Sequence, residues 1–389
     1  MTGGETPDPF TTLGGLRVVE VAQNLAGPFC ARILGDLGAD VVKVEPPGGD
    51  AARGWGPPFH QGAGTIFAFA NTGKRSVILD LDTEPGCRAL TRLVETADVL
   101  VDALRPGALA RRGFDDGTLE ALNPRLVRVQ VLAYGETGPL ASLPGYEPLM
   151  QAHAGILAAT GPRGGPPVRV GTSLVDMGTG MWGALAALAG LRERERTGRG
   201  LRLSTALFDT AAVWSGYHLL GAAGAGHVPE PMGTELPMIC PYGTVPTADG
   251  QLMVSAGNDR LFLRLCEVLG LDDLAEDPRF ATNPQRVALR DEVNRRVHEA
   301  TGRHTAGALL ELLREAGVPA APIKDAGELV DDPQLRASGM LAETGAASGS
   351  PSCLGIPLPL RADGVRAPAH TRVPTAGEHT REVLEELGL

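Results

Sequence analysis

The first 130 residues alternate short β-branched runs with longer stretches of helical spacing. "LRVVEVA" (16–22) reads as a strand, "PFCARILGDLGA" (28–39) as a helix and "DVVKVEPP" (40–47) as a second strand closed by two prolines. The pattern then repeats with a strand at 75–82, a helix at 84–97 and a strand at 98–104. A helical stretch at 117–124 precedes another strand at 125–134. Strands joined by helices of this length pair in parallel, with helices on both faces of the sheet. The expected class is therefore α/β, and ligands of such sheets sit at the carboxyl ends of the strands.

Past Gly221 the pattern changes. The stretch 221–237 is rich in glycine and proline and reads as a linker, and 242–257 reads as a hairpin turning at Asp249-Gly250. Helices are expected at 260–270, 285–302 and 305–317, another connection at 318–340, and a short amphipathic helix at 375–388. This divides the chain into a large α/β domain (1–222), a small α+β domain (228–325) and a return segment (326–389).

The charge balance narrows the partners. A formal charge of −11 on 389 residues disfavours nucleic acid and anionic membrane, so an anionic ligand must be held by local cations. Five scattered cysteines without CxxC spacing and eight unclustered histidines signal neither a disulfide framework nor a metal site. A cytoplasmic protein without a membrane span is expected, because the apolar stretch Met181–Leu191 is short and rich in glycine and alanine.

One carboxylate stands out. "VRVGTSLVD" (168–176) reads as a strand ending in Asp176, followed by Gly178, Gly180 and an apolar helix. An N-cap is the plain structural account of such an aspartate. The functional account is a partly desolvated nucleophile at a strand end, with glycines leaving the backbone open to a bulky ligand. Cations gather in two places, Lys74 and Arg75 in "NTGKRS" and Arg105, Arg111 and Arg112 in "LRPGALARRGF", where they are candidates for phosphate binding. Phosphate-loop, dinucleotide and serine-elbow motifs are not found.

The stretches "LAGPFCARILGDLGADVVKVEPPGGDAARGW", "NTGKRSVILDL", "LRPGALARRGF", "GGPPVRVGTSLVDMGTGMWGALAALAGLRERERTGRG" and "GEHTREVLEELGL" together resemble the family III CoA-transferases (CaiB/BaiF family), collinearly from Leu13 to Leu389. That family includes formyl-CoA and carnitine CoA-transferases and the α-methylacyl-CoA racemases. The resemblance implies a Rossmann-like large domain, an interlocked homodimer, and CoA transfer from an acyl-CoA to a carboxylic acid, between molecules or within one substrate. Asp176 matches the aspartate that carries an aspartyl-CoA thioester. Leu25, Ala26, Leu79, Ala103, Leu104, Arg105, Arg111, Tyr146 and Glu147 fall at CoA- and substrate-contacting positions. CoA would enter as part of the substrate, with no tightly bound cofactor and no metal.

The departures carry information. Leu25 and Pro46 replace a glutamine and an arginine of formyl-CoA transferase, and its tetraglycine loop has no counterpart, which points away from oxalate. Tyr146 and Asn258 stand where racemases have a histidine and a glutamate, so α-proton exchange lacks its bases and transfer is the expected reaction. His153 reads as an ordinary core or surface histidine, and Leu236 as a possible mark of acyl specificity. A racemase and a non-catalytic CoA-binding protein are the alternatives.

Overall fold

The computed structural model describes residues 10–344 and 353–389, which separate into two compact units. The large unit comprises 1–156, 170–225 and 333–389, and the small unit 157–169 and 226–332. The segment 157–169, expected in the first domain, thus groups with the small unit.

Six strands form the sheet of the large unit: β1 (Arg17–Val21), β2 (Asp40–Glu45), β3 (Arg75–Ile78), β4 (Val99–Asp102), β5 (Val127–Leu132) and β6 (Arg202–Ala206). All five pairings are parallel, and the spatial order is β3-β2-β1-β4-β5-β6. This is the doubly wound order in which the chain reverses direction between β1 and β4, opening a crevice at their carboxyl ends. The first five strands are the β-branched runs of the sequence. The sixth, "RLSTA", is polar and alternates exposure as an edge strand does, so its period-2 apolar signal is weak. The expected strand at 168–176 does not form. Residues 169–173 have no regular structure, and Leu174 begins a helix.

Helices cover both faces. On one face α1 (Ala26–Asp36) and α6 (Leu174–Thr197) bury Cys30, Leu34, Ala184, Ala187 and Leu191 against Val18, Val41, Val99, Val101, Val127 and Val129. On the other, α3 (Glu84–Thr96) and α4 (Asp116–Leu122) pack with the C-terminal helix (Thr380–Glu386) on Val19, Val21, Val44 and Leu100. Between them in the chain lie α2 (Thr65–Asn71), α5 (Glu147–His153), α7 (Leu207–Trp214) and α8 (Gly216–Ala225). The helical reach of α8 takes in 221–225, which the sequence reading gave to a linker.

The 24-residue α6 is the only helix among the described residues long and apolar enough to cross a membrane, and half of its apolar window is buried within the protein. It is not apolar-and-buried all round: Met181, Trp182 and Leu185 are 39–54% exposed. Its small residues face inward. A Cβ at Gly190 would lie 2.6 Å from Val127 Cγ1 and 2.9 Å from Leu203 Cδ1, and one at Gly183 3.0 Å from Cys30 Sγ. The helix therefore rests directly on the sheet and on α1.

The small unit is built on an antiparallel sheet, β7 (Tyr242–Thr247), β8 (Gly250–Ser255) and β9 (Ala320–Pro322). Helices α9 (Asp259–Leu269), α10 (Arg290–Thr301) and α11 (Ala306–Glu315) bury Phe262, Leu265, Val293, Val297, Leu309 and Leu313 against it. The single helix expected at 285–302 is split, with a short helix at Asn283–Ala288 ahead of α10.

Replacing Gly190 by alanine should destabilise the fold by about 1–3 kcal/mol through overpacking. At an unconstrained helix position the same change stabilises by roughly 0.5–1 kcal/mol. A urea midpoint that rises in Gly190→Ala would contradict the close packing of α6.

Candidate active site

Asp176 is the third residue of α6. It does not cap the helix: the N-cap position is Ser173, whose side chain makes no cap hydrogen bond. A carboxylate in the first turn is favoured by the helix dipole. Two other influences act against its charge. Burial, and secondarily the nearby Glu147 carboxylate, push the Asp176 carboxyl up to about 7. Glu147 is buried in α5, where its Oε1 accepts a 2.6 Å hydrogen bond from Gln151 Nε2. Gln151 Oε1 in turn accepts from the Val170 N–H, tying α5 to the chain that enters α6.

The glycines after Asp176 serve packing instead of exposing backbone. A Cβ at Gly178 would meet the Trp214 indole at 2.7 Å, and one at Gly180 the Ala26 carbonyl oxygen at 2.7 Å and Phe29 at 3.0 Å. Gly180 meets α1 at Ala26–Cys30 and Gly183 meets it at Cys30, so the two helices run parallel. Asp176, one turn before Gly180, is therefore level with the start of α1.

That start is uncapped by any side chain. Leu25 occupies the N-cap position, and its side chain is turned into the core with Phe29 and Ala70, against Met177. What Leu25 and Ala26, buried like their neighbours, offer a ligand is backbone N–H, not side chain. Ala103 borders them, since a Cβ at Gly27 would lie 2.7 Å from that of Ala103.

A cavity of about 340 Å³ opens at the carboxyl ends of β1 to β4. Leu79, Leu104, Arg105 and Arg111 line it together with Gln23 and Pro46. Arg105 and Arg111 are exposed, and among the described residues no carboxylate pairs with either. Gln23, in the turn that leads into α1, is also in its wall, whereas Asp176 and the rest of α6 are not among its lining residues. The other candidate cations are structural. Lys74 is buried against Glu20, Pro28 O and Asn71. Arg75, at the amino end of β3, pairs with Asp40, Glu382 and Glu386, and Arg112 pairs with Asp82. No cluster of metal-ligating side chains occurs among the described residues.

This arrangement of sheet edge, aspartate and cations coincides with a family match. The model of CoA-transferase family III matches residues 13–380. The chain belongs to CoA-transferase family III. It is 37% identical to the succinate–glutarate CoA-transferase of Agrobacterium fabrum over 98% of this chain and 97% of that one. It is also 37% identical to the acetyl-CoA:oxalate CoA-transferase of Acetobacter aceti, over 89% of each. Among solved structures, a CaiB/BaiF family protein from Brucella suis superposes with a TM-score of 0.86 at 37% identity, covering 97% of this chain and 99% of that one.

In this family III enzyme the remaining candidate positions have varied surroundings. Tyr146 is 60% exposed and stands at the N-cap of α5 without a side-chain cap bond. Asn258 spends its side chain on capping α9, accepting from the Leu261 N–H at 3.0 Å. His153 packs edge-on against Tyr134 and Phe208. Leu236 is held by its carbonyl, which accepts from Arg290 Nη2. Sequence reasoning missed Gln151, Trp214 and the buried partners of Lys74. The helical spacing of Glu147 and Gln151 was a signal for the first of these.

A carboxyl whose folded pKa lies above its unfolded value near 4 binds a proton that the unfolded chain releases. Stability therefore falls as pH rises from about 4 to about 7. Asp176→Asn should remove that part of the slope and raise the thermal midpoint at pH 8 more than at pH 4. Equal shifts at both pH values would contradict the burial of the carboxylate.

Proposed function

We propose that this CoA-transferase moves CoA from an acyl-CoA to a carboxylic acid through an aspartyl-CoA thioester on Asp176. The observation that carries the reading is the carboxylate level with an uncapped helix start, on the sheet edge where Arg105 and Arg111, which pair with no carboxylate among the described residues, line a cavity. Ionised Asp176 attacks the thioester carbonyl, the C–S bond breaks, and CoA leaves as thiolate. The thiolate attacks the aspartyl carbonyl of the resulting mixed anhydride and releases the donor acid. The acceptor carboxylate then reverses the sequence, regaining CoA and freeing Asp176. Each carbonyl passes between thioester and anhydride of similar activation, so no step falls into a deep well. The N–H groups at the start of α1 receive the developing oxyanion. Arg105 and Arg111 hold phosphates, and Leu79 and Leu104 flank the adenine.

The names of the relatives suggest a succinyl-like donor and a dicarboxylic acceptor such as glutarate. A homodimer fits the apolar surface that this chain leaves open, formed by Met181, Trp182 and Leu185 on α6 and Val213, Trp214, Tyr217 and Leu220 on α7 and α8. The racemase alternative is disfavoured because Asn258, an amide that is not a proton acceptor of the kind α-proton exchange needs, is a helix cap.

Steady-state assays with succinyl-CoA and a panel of acids should show ping-pong transfer that Asp176→Ala abolishes. Arg111→Ala should raise the KM for acyl-CoA roughly 10- to 100-fold, the loss of one or two charge-assisted hydrogen bonds, with a smaller effect on kcat. Exchange of the α-proton in heavy water without transfer would establish the racemase instead.

A further inference from the structure

Central strands of a parallel sheet are normally continuous apolar runs. Here β1 and β2 carry Glu20 and Lys43, both fully buried. With Asp50 and Lys74, at most 4% exposed, they form a closed quartet. Lys43 Nζ lies 2.7 Å from Glu20 Oε1 and 2.9 Å from Asp50 Oδ2, and Lys74 Nζ lies 2.6 Å from Glu20 Oε2. Two positive and two negative groups balance. Such a set is costly to desolvate, and apolar residues of similar volume would often stabilise a core as well or better. A role in geometry is the better account of its presence.

The outputs of the quartet converge on one turn. Lys43 Nζ donates to Ala22 O at 2.9 Å, and Lys74 Nζ donates to Pro28 O at 2.7 Å. Asp50 Oδ1 accepts from the Asn24 N–H at 3.2 Å and from the Ala52 N–H at 2.9 Å. Three of these four backbone groups lie within 22–28, the passage from β1 into α1. Asn24 is held there at φ 68°, a left-handed conformation unusual for a residue with a side chain. This passage is also where a conventional Ser, Thr or Asp cap is missing. Such a cap would consume the first-turn N–H groups, whereas a turn held from beneath leaves them to a ligand.

We propose that the buried quartet Glu20, Lys43, Asp50 and Lys74 is a positioning device, which sets the β1–α1 turn so that the N–H groups at the start of α1 meet the reacting carbonyl beside Asp176. The inference rests on the aspartyl-CoA reading above. The four are positioning residues, acting through the backbone of 22–28 and touching no substrate. The ionisable groups that act on Lys74 are Glu20, Lys43 and Asp50, the buried Asp36 carboxyl of α1 also feels its charge, and the adjacent Cys30 thiol, pushed up to about 12 by burial, stays neutral. Burial, opposed chiefly by Glu20, lowers Lys74 to about 8. The quartet consequently loses a positive charge as pH rises through that value.

The test compares the full-length parent with the charge-balanced double variant Glu20→Gln/Lys74→Met, which leaves the Lys43–Asp50 pair intact. The second variant is Asn24→Gly, which tolerates the positive φ but loosens the turn. Rates of succinyl-CoA-dependent transfer are expressed per site that forms the Asp176 adduct, so unfolded protein does not count. The double variant should lose 10- to 100-fold in kcat with KM for acyl-CoA within about twofold, and Asn24→Gly should lose 3- to 10-fold. The parent should also lose kcat above about pH 8, and the double variant should lack that alkaline limb. If the double variant does not fold, the Asn24→Gly split between kcat and KM decides. Unchanged kcat per labelled site, or parallel changes in kcat and KM, would overturn the positioning role while leaving the aspartyl-CoA reading intact. A parent that forms no adduct and transfers no CoA would overturn both.

Discussion

The site depends on how closely α6 lies against α1 and the sheet. Gly180, Gly183 and Gly190 face Ala26, Cys30 and Val127 at distances no side chain larger than hydrogen accommodates without displacement. That contact makes the two helices parallel and brings both their amino ends to the same edge of the sheet. Asp176 owes its height above the sheet to this packing. The start of α1 and the first turn of α6 then lie on the edge of the sheet where the strand order reverses between β1 and β4, the place at which such sheets bind ligands.

Charge is distributed to match. The chain is acidic overall, and most of its arginines are paired at its surface. Arg105 and Arg111 differ in having no carboxylate partner among the described residues, and they line the cavity below Leu79 and Leu104. Deeper in, the Asp176 carboxyl is held near neutrality in pKa by burial and by Glu147, so the free chain keeps a substantial protonated fraction at pH 7. The sheet's own charges are compensated internally. Arg53 and the Ser76 hydroxyl bind Glu45, offsetting its burial and holding its carboxyl below the ordinary range.

The parallel sheet was legible wherever a strand was a β-branched run, which covers β1 to β5. The polar edge strand β6 escaped because half its residues face solvent, and 168–176 was misread because two prolines and a glycine around its valines favour irregular backbone over a ladder. Asp176 was visible as a lone carboxylate before an apolar helix, and the family resemblance supplied the role proposed for it. Its glycines were misjudged, since sequence shows a missing side chain but not the neighbour that requires it to be missing. Lys74 and Arg75 looked like Arg105 and Arg111 in the sequence. Only strand direction separates them: Arg75 opens β3 at the edge opposite the cavity, and Lys74 turns inward to Glu20. A lysine and a glutamate inside β-branched runs were the sign of the buried quartet, and pattern reading treats such positions as interruptions.

The most direct test of the central claim is a mass measurement. The protein is incubated with succinyl-CoA, reduced with borohydride and digested, and the peptide carrying Asp176 is weighed against that from Asp176→Ala. An aspartyl-CoA thioester predicts conversion of that carboxyl to the primary alcohol, a loss of about 14 Da in the parent peptide alone, by the reactivity of thioesters toward hydride. An unmodified Asp176 peptide under conditions in which the same sample transfers CoA would contradict the account.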